Sequence, residues 1–250
     1  MQSVLWLMTV AWSQASPNDL RRAPPTGWVD LEVVVTDLRV DARYHTEDNF
    51  TGRQLPGYGV AGAWLLEAPG MALARVQAEL LAQGYSLYVY DAYRPRRATD
   101  AMVAWAYRSG NSHLVTQGYI SPTSFHNRGM AIDLGLVRLA DGGVVDMGSA
   151  FDDLSPASHT ANATGEAAAM RKLLKTAMEH HGWKNYWREW WHFSWPAAGM
   201  PERRDVPYAC FELDEGQWVA PQGWERAGWV QPQSWGTAPC GDAPSSGTAR

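Results

Sequence analysis

Residues 124–133 read SFHNRGMAID, and residues 189–192 read EWWH. The first stretch sets Asp133 inside a run where Met130, Ile132, Leu134 and Leu136 call for burial. A lone ionised carboxylate in such surroundings costs several kcal/mol unless a hydrogen-bonded partner or a cation compensates it. His126 lies upstream of it, and Gly129 between them lets the backbone turn so that the two side chains converge. His192 offers a second imidazole. Two nitrogens and one carboxylate oxygen make a common open zinc set, with the fourth position left to water. Such an ion brings the pKa of its water to about 7. Glu189, close to a ligand in sequence but not needed as one, suits a general base. Plainer readings exist. Asp133 has Arg128 and Arg138 as possible ion-pair partners, and Glu189 has Arg188 and Lys184. His45, His113, His159, His180 and His181 read as surface or core-edge histidines.

These residues need elements to hold them. Residues 29–40, VDLEVVVTDLRV, are β-branched and alternating and predict a strand. A polar and aromatic loop follows over 41–59. Helical spacing of Met71, Leu73, Val76, Leu80 and Leu81 predicts a helix over 70–83, with Gly84 at its C-terminal cap. YSLYVYDAY at 85–93 predicts a strand, stopped at Arg94-Pro95 because the residue before proline avoids the helical region. A helix over 97–108, a strand over 130–138 and a helix over 166–181 come next. The aromatic segments WKNYW and EWWHFSW predict the last strands. Few strands mixed with helices point to an α+β fold, a small antiparallel sheet flanked by helices.

Beyond Pro196 the composition shifts to Pro, Gly and Trp. WVAPQGW at 218–224 recurs as WVQPQSW at 229–235, two copies being too few for a solenoid. This extension, 197–250, reads as a wrap or small aromatic appendage with a disordered end. At the other end, residues 1–27 form a possible signal or leader segment. An apolar stretch from Val4 to Trp12 precedes Ser13-Gln14-Ala15, a small-x-small pattern suited to signal cleavage, but the first 20 residues carry no Lys or Arg. A periplasmic or secreted location is the expectation, with the cytoplasm as the alternative. Cys210 and Cys240 suit either one disulfide or two free thiols.

The bulk numbers agree with a folded protein of 250 residues. Hydrophobic residues make up 46% and charged ones 19%, below the ~25% of typical soluble domains. The net charge of −5 gives no basic field to recruit nucleic acid. No segment reaches the ~20 apolar residues of a membrane-spanning helix.

The motifs together resemble a known family. SFHNRGMAID fits S-x-H-x-x-G-x-A-x-D, EWWH fits E-x-W-H, and YDAYRP at 90–95 matches a strand-end arginine segment. In this order they look like the zinc D-alanyl-D-alanine dipeptidases, the VanX-like branch of the DD-peptidase and Hedgehog-like fold. DARYHTEDNFTG at 41–52 and MGSAFDDLSPASH at 147–159 are similar to segments of that branch in particular. The resemblance covers residues 28–196, the expected catalytic domain.

That resemblance implies one zinc ion per chain on His126, Asp133 and His192. It implies Glu189 as catalytic base and Arg94 as the group that stabilises charge on the attacked carbonyl oxygen, the plainer role for Arg94 being a surface ion pair with Asp91. It implies D-Ala-D-Ala as substrate, with Asp152 holding the substrate ammonium and Tyr44, Tyr58 and Ser124 making polar contacts. Asp153 is an alternative to Asp152, and a turn cap is the plainer role for Asp152. The stretch between Arg94 and His126 is shorter than in the best-known dipeptidases of this branch. A wider site would act as a DD-carboxypeptidase on peptidoglycan stem peptides. A non-catalytic zinc-containing wall-binding module is the third reading, and the presence of both Glu189 and Arg94 argues against it.

Overall fold

The computed structural model describes residues 21–197 and 199–209. Residues 1–20 of the possible leader, the Trp repeats, Cys210 and Cys240 lie outside the described residues, whereas residues 21–27 join the fold, Arg21 pairing with Asp30 at 2.9 Å and the Arg22 amide donating to Tyr208 O at 2.7 Å. The fold is α+β, with helices packed around a five-stranded sheet. The elements are β1 (Trp28–Asp30), α1 (Leu31–Val34), β2 (Arg39–Val40), β3 (Trp64–Leu66), α2 (Glu67–Leu81) and β4 (Tyr85–Asp91). Then come α3 (Arg96–Arg108), α4 (Ser112–Thr116), β5 (Ala131–Arg138), α5 (Gly165–His180), β6 (Lys184–Asn185) and β7 (His192–Ser194).

The main sheet runs β2-β4-β5-β7-β6, and β1 pairs with β3 in a separate two-stranded sheet. All neighbours are antiparallel except β2 and β4, so the expected antiparallel sheet has one parallel edge pair. A parallel pair needs a crossover, and here the connection includes α2, which packs on β4. Strand β5 sits in the middle of the sheet and is buried on both faces. That is why its sequence reads as a continuous apolar run rather than an alternating one.

The long strand expected over 29–40 does not form. Asp30 accepts a hydrogen bond from the Glu32 amide and caps the one-turn helix α1, and Asp37 then turns with φ 56°. Local capping chemistry outweighs β-branched content there. Helix α2 starts at Glu67, before the expected Gly70, because Pro69 is tolerated in a first turn whose amides have no intrahelical partner. The expected aromatic strands shorten to the two residues of β6 and the three of β7.

Two apolar cores result. One lies between the sheet and helices α2 and α5, built on Leu73, Val76, Leu80, Leu134, Leu174 and Phe193. The other is aromatic, built on Trp28, Tyr44, Tyr58, Trp64, Tyr93 and Tyr208. The chain beyond Pro196 contributes to the second. The Arg204 amide donates to Asn127 O at 2.7 Å, Arg97 pairs with Asp205 at 3.1 Å, and Tyr208 is fully buried. No helix among the described residues is long and apolar enough to cross a membrane.

Candidate active site

Sheet register builds the centre of the site. Asp133 on β5 lies opposite Asp91 on β4 and opposite His192 on β7, so three adjacent strands bring their functional residues into one row. The fourth residue comes from a turn. Ser124 Oγ accepts the His126 amide and opens a 3₁₀ turn over Phe125–Arg128, which ends at Gly129 with φ 65°. A β-carbon at Gly129 would lie 2.3 Å from the Trp28 ring, so only glycine fits the turn that aims His126 at Asp133.

The donor atoms converge. His192 Nδ1 is 2.8 Å from Asp133 Oδ1, His126 Nε2 is 3.3 Å from the same oxygen, and the two nitrogens are 3.1 Å apart. A tetrahedral ion with bonds of ~2.0 Å spaces its ligand atoms by roughly 3.3 Å. The other side of His126 fixes its tautomer. Its Nδ1 lies 2.6 Å from Ala92 O and 3.3 Å from Asp91 Oδ2, both acceptors, so Nδ1 carries the proton. Nε2 therefore presents a lone pair to a carboxylate oxygen and to a second imidazole nitrogen. A cation suits that meeting of lone pairs better than a hydrogen bond does, so this donor set fits a metal ion. Burial opposes ionisation of Asp133, but the neighbouring His126 and His192 outweigh it and hold its carboxyl well below the usual range.

Arg94 lies just beyond β4, after Ala92 and Tyr93. Its Nε donates to Asp91 Oδ2 at 2.9 Å, and Nη2 is 3.4 Å from Asp133 Oδ2. The ion pair with Asp91 thus exists, though buried rather than at the surface. The guanidinium also lies 5.0 Å over the Tyr44 ring and faces the cavity. Burial opposes its charge, and Asp91 with the other nearby acidic groups restores it. Asp133 finds its arginine here; Arg138 instead pairs with Asp141, and Arg128 with the Pro201 carbonyl.

Glu189 is buried, with its Oε2 3.9 Å from His192 Nδ1. Burial, then Asp133 and Asp152, push its carboxyl well above the ordinary range, and Arg94 opposes them. Arg188 does not pair with it but stacks 4.4 Å over Trp187. Asp152 sits across the cavity with φ 62°, a left-handed conformation that is costly for a side-chain-bearing residue. Its Oδ1 accepts from Tyr44 Oη at 3.0 Å, and its Oδ2 is shut off from solvent without a hydrogen-bond partner. Burial first, and Asp133 second, raise its carboxyl to about 8. It caps no turn, since Ser155 caps the turn that follows. Asp153 does not line the cavity.

The cavity holds about 450 Å³, within the ~300–1,000 Å³ of small-molecule sites. Tyr44, Arg94, Ser124, His126, Asp133, Asp152, Glu189 and His192 all line it. Tyr58 does not. Its hydroxyl, expected to make a polar contact with substrate, instead donates to Asp91 Oδ1 at 2.5 Å, behind the Asp91–Arg94 pair. Sequence reasoning named Asp91 only as a plain ion-pair partner. Its place opposite Asp133 depends on a register shift between Val89 and Asp91, which no local pattern announces. It also missed Trp191 and Tyr119 as walls, the latter bonded to His159 Nε2 at 2.8 Å.

Comparison with known proteins matches the chain to D-Ala-D-Ala dipeptidases. The family model described as D-ala-D-ala dipeptidase (Peptidase_M15) matches residues 25–213. The D-alanyl-D-alanine dipeptidase of Enterococcus faecalis strain V583 is 37% identical over 182 residues, covering 67% of this chain and 90% of the relative. That of Enterococcus faecium is 37% identical over 200 residues, covering 73% and 94%. That of Escherichia coli K12 is 36% identical over 189 residues, covering 74% and 93%.

Proposed function

Because this chain belongs to the D-Ala-D-Ala dipeptidase family of peptidases, we propose that it is a zinc-dependent dipeptidase that hydrolyses D-Ala-D-Ala to two D-alanines. One observation carries the metal-dependent part. His126 Nε2, Asp133 Oδ1 and His192 Nδ1 meet in a single cavity, each within 3.3 Å of the other two.

The charge balance supports the substrate class. Four acidic side chains, Asp91, Asp133, Asp152 and Glu189, gather around the Arg94 guanidinium, and burial holds all but Asp133 toward the neutral form. A divalent cation on the three ligands and an ammonium at Asp152 would supply the missing positive charge. A free dipeptide carries such an ammonium; an internal peptide segment does not. The solvent-shielded, unpartnered Oδ2 of Asp152 is the natural acceptor for it. Tyr44 Oη, already bonded to Oδ1, fixes that carboxylate in place.

A zinc ion on His126, Asp133 and His192 would supply Lewis acidity toward water and toward the scissile carbonyl. Glu189 accepts the proton of the attacking water and returns it to the leaving amine as the C–N bond breaks. Its raised affinity for protons suits the second half of that task. Arg94, held by Asp91 and backed by Tyr58, stabilises the charge that grows on the carbonyl oxygen. Ser124 shapes the turn that presents His126.

The test is direct. The purified chain, incubated with D-Ala-D-Ala, releases two D-Ala per dipeptide consumed, and a chelator stops the release. Release of D-Ala from a stem pentapeptide at a rate equal to or above that from the dipeptide would establish the carboxypeptidase reading instead.

A further inference from the structure

A second cluster of metal-ligating atoms lies away from the cavity. Glu79, His180 and His181 bring one ligand atom each within 4.8 Å of one another. Glu79 belongs to α2, His180 is the last residue of α5, and His181 is the residue that caps it. The two helices pack together. His180 Nδ1 is 2.8 Å from Glu79 Oε2, and His181 Nε2 is 2.9 Å from the same oxygen. Two consecutive residues therefore turn opposite ring nitrogens toward one point, their rings 4.8 Å apart and tilted by 34°. None of the three lines the cavity.

We propose that Glu79, His180 and His181 form a second divalent-metal site that staples α2 to the C-terminal end of α5. Two imidazoles with one carboxylate are the donor types that suit a borderline transition ion such as Zn²⁺, and they select against Mg²⁺ and Ca²⁺, which prefer all-oxygen shells. The site sits at the carbonyl end of a helix of sixteen residues, where the aligned peptide dipoles favour positive charge. Exposure is graded across it. The His181 side chain is 18% exposed, that of Glu79 30% and that of His180 70%. The inner pair is held in place while the outer ring opens to solvent, so an ion can enter and water completes its shell.

Equilibrium dialysis of the full chain against Zn²⁺ in molar excess, with Mg²⁺ present throughout, tests this. Wild type, Glu79→Gln and His181→Gln are compared by zinc content, with circular dichroism as the check on folding. The expected result is one zinc per chain fewer in each variant, with unchanged hydrolysis of D-Ala-D-Ala. Added Zn²⁺ should also raise the Tm of the wild type more than that of either variant. Should either variant fail to fold, His180→Gln at the exposed position replaces it. Equal zinc content in wild type and folded variants overturns the site, as does displacement of the extra ion by Mg²⁺. The readout is a difference between variants, so it stands whether or not the cavity binds zinc.

Discussion

The solvent-shielded Oδ2 of Asp152 sets a measurable cost for blocking the substrate amine. In the free protein that oxygen has no hydrogen-bond partner, and burial with the nearby Asp133 raises the carboxyl to about 8. The neutral form is therefore favoured before any cation arrives. An ammonium at Oδ2 would reverse that balance and complete a charge-assisted pair. Removing one member of a desolvated pair costs roughly 2–5 kcal/mol. The residue as a whole is only half-buried, so the lower figure applies, ~2 kcal/mol or about 30-fold. Kcat/KM for N-acetyl-D-Ala-D-Ala should therefore fall about 30-fold or more below that for the free dipeptide. Asp152→Asn keeps the shape but loses the charge. It should lower the rate on the free dipeptide by a similar factor and change the rate on the acetylated one by less than about threefold. Release of D-Ala, measured under kcat/KM conditions, reads all four combinations. Equal rates of the wild type on the two substrates would refute the ammonium-binding role.

Other expectations bear on the remaining residues. His126→Ala and His192→Ala should each lose the cavity ion on dialysis and with it all activity; full occupancy there in either variant contradicts the ligand set. Glu189→Ala should keep that ion and the fold while turnover falls by about 10²–10⁴, and an emptied site would make Glu189 a ligand. Arg94→Ala should lower turnover by about 10²–10³ and also leave Asp91 buried without its partner, a loss of about 3–5 kcal/mol in urea unfolding. An unchanged urea midpoint would mean that the Asp91 pair is dispensable. Gly129→Ala should lower the Tm by about 4 °C or more, since its left-handed φ and the Trp28 ring both resist a side chain.

The sequence made the centre of the site legible because its signals are local. In SFHNRGMAID the serine cap, the left-handed glycine and the carboxylate on a buried strand stand within ten residues. Helices α3 and α5 and strand β5 also fell within one or two residues of expectation, their apolar signals lying within the segment itself. What escaped depends on distant partners. Val33 to Val35 look like strand, yet a side-chain cap two residues upstream of Glu32 winds them into α1 and its cap. The place of Tyr58 behind Arg94 follows from a loop that folds onto Asp91 across 33 residues of chain. Residues 204–208 carry no periodic pattern, and their role in the aromatic core comes from hydrogen bonds to Asn127, Tyr93 and Trp64.

That closing segment bears on the order in which the protein can be made. Tyr208 donates to Tyr93 O at 2.7 Å and accepts from the Trp64 amide, a contact spanning 144 residues. Its ring fills the space beside Gly62, where a β-carbon would come within 2.4 Å of it. Tyr93 precedes Arg94 and stacks on Trp64 with ring centroids 6.2 Å apart, so the aromatic core beside the arginine lacks its plug until residue 208 has left the ribosome. Sheet and helices can assemble earlier from nearer contacts, whereas this long closure comes late and slowly. Among the described residues, the aromatic core beside Arg94 is therefore completed by the segment synthesised last, and a nascent protein stalled before Tyr208 would hold His126, Asp133 and His192 without that plug.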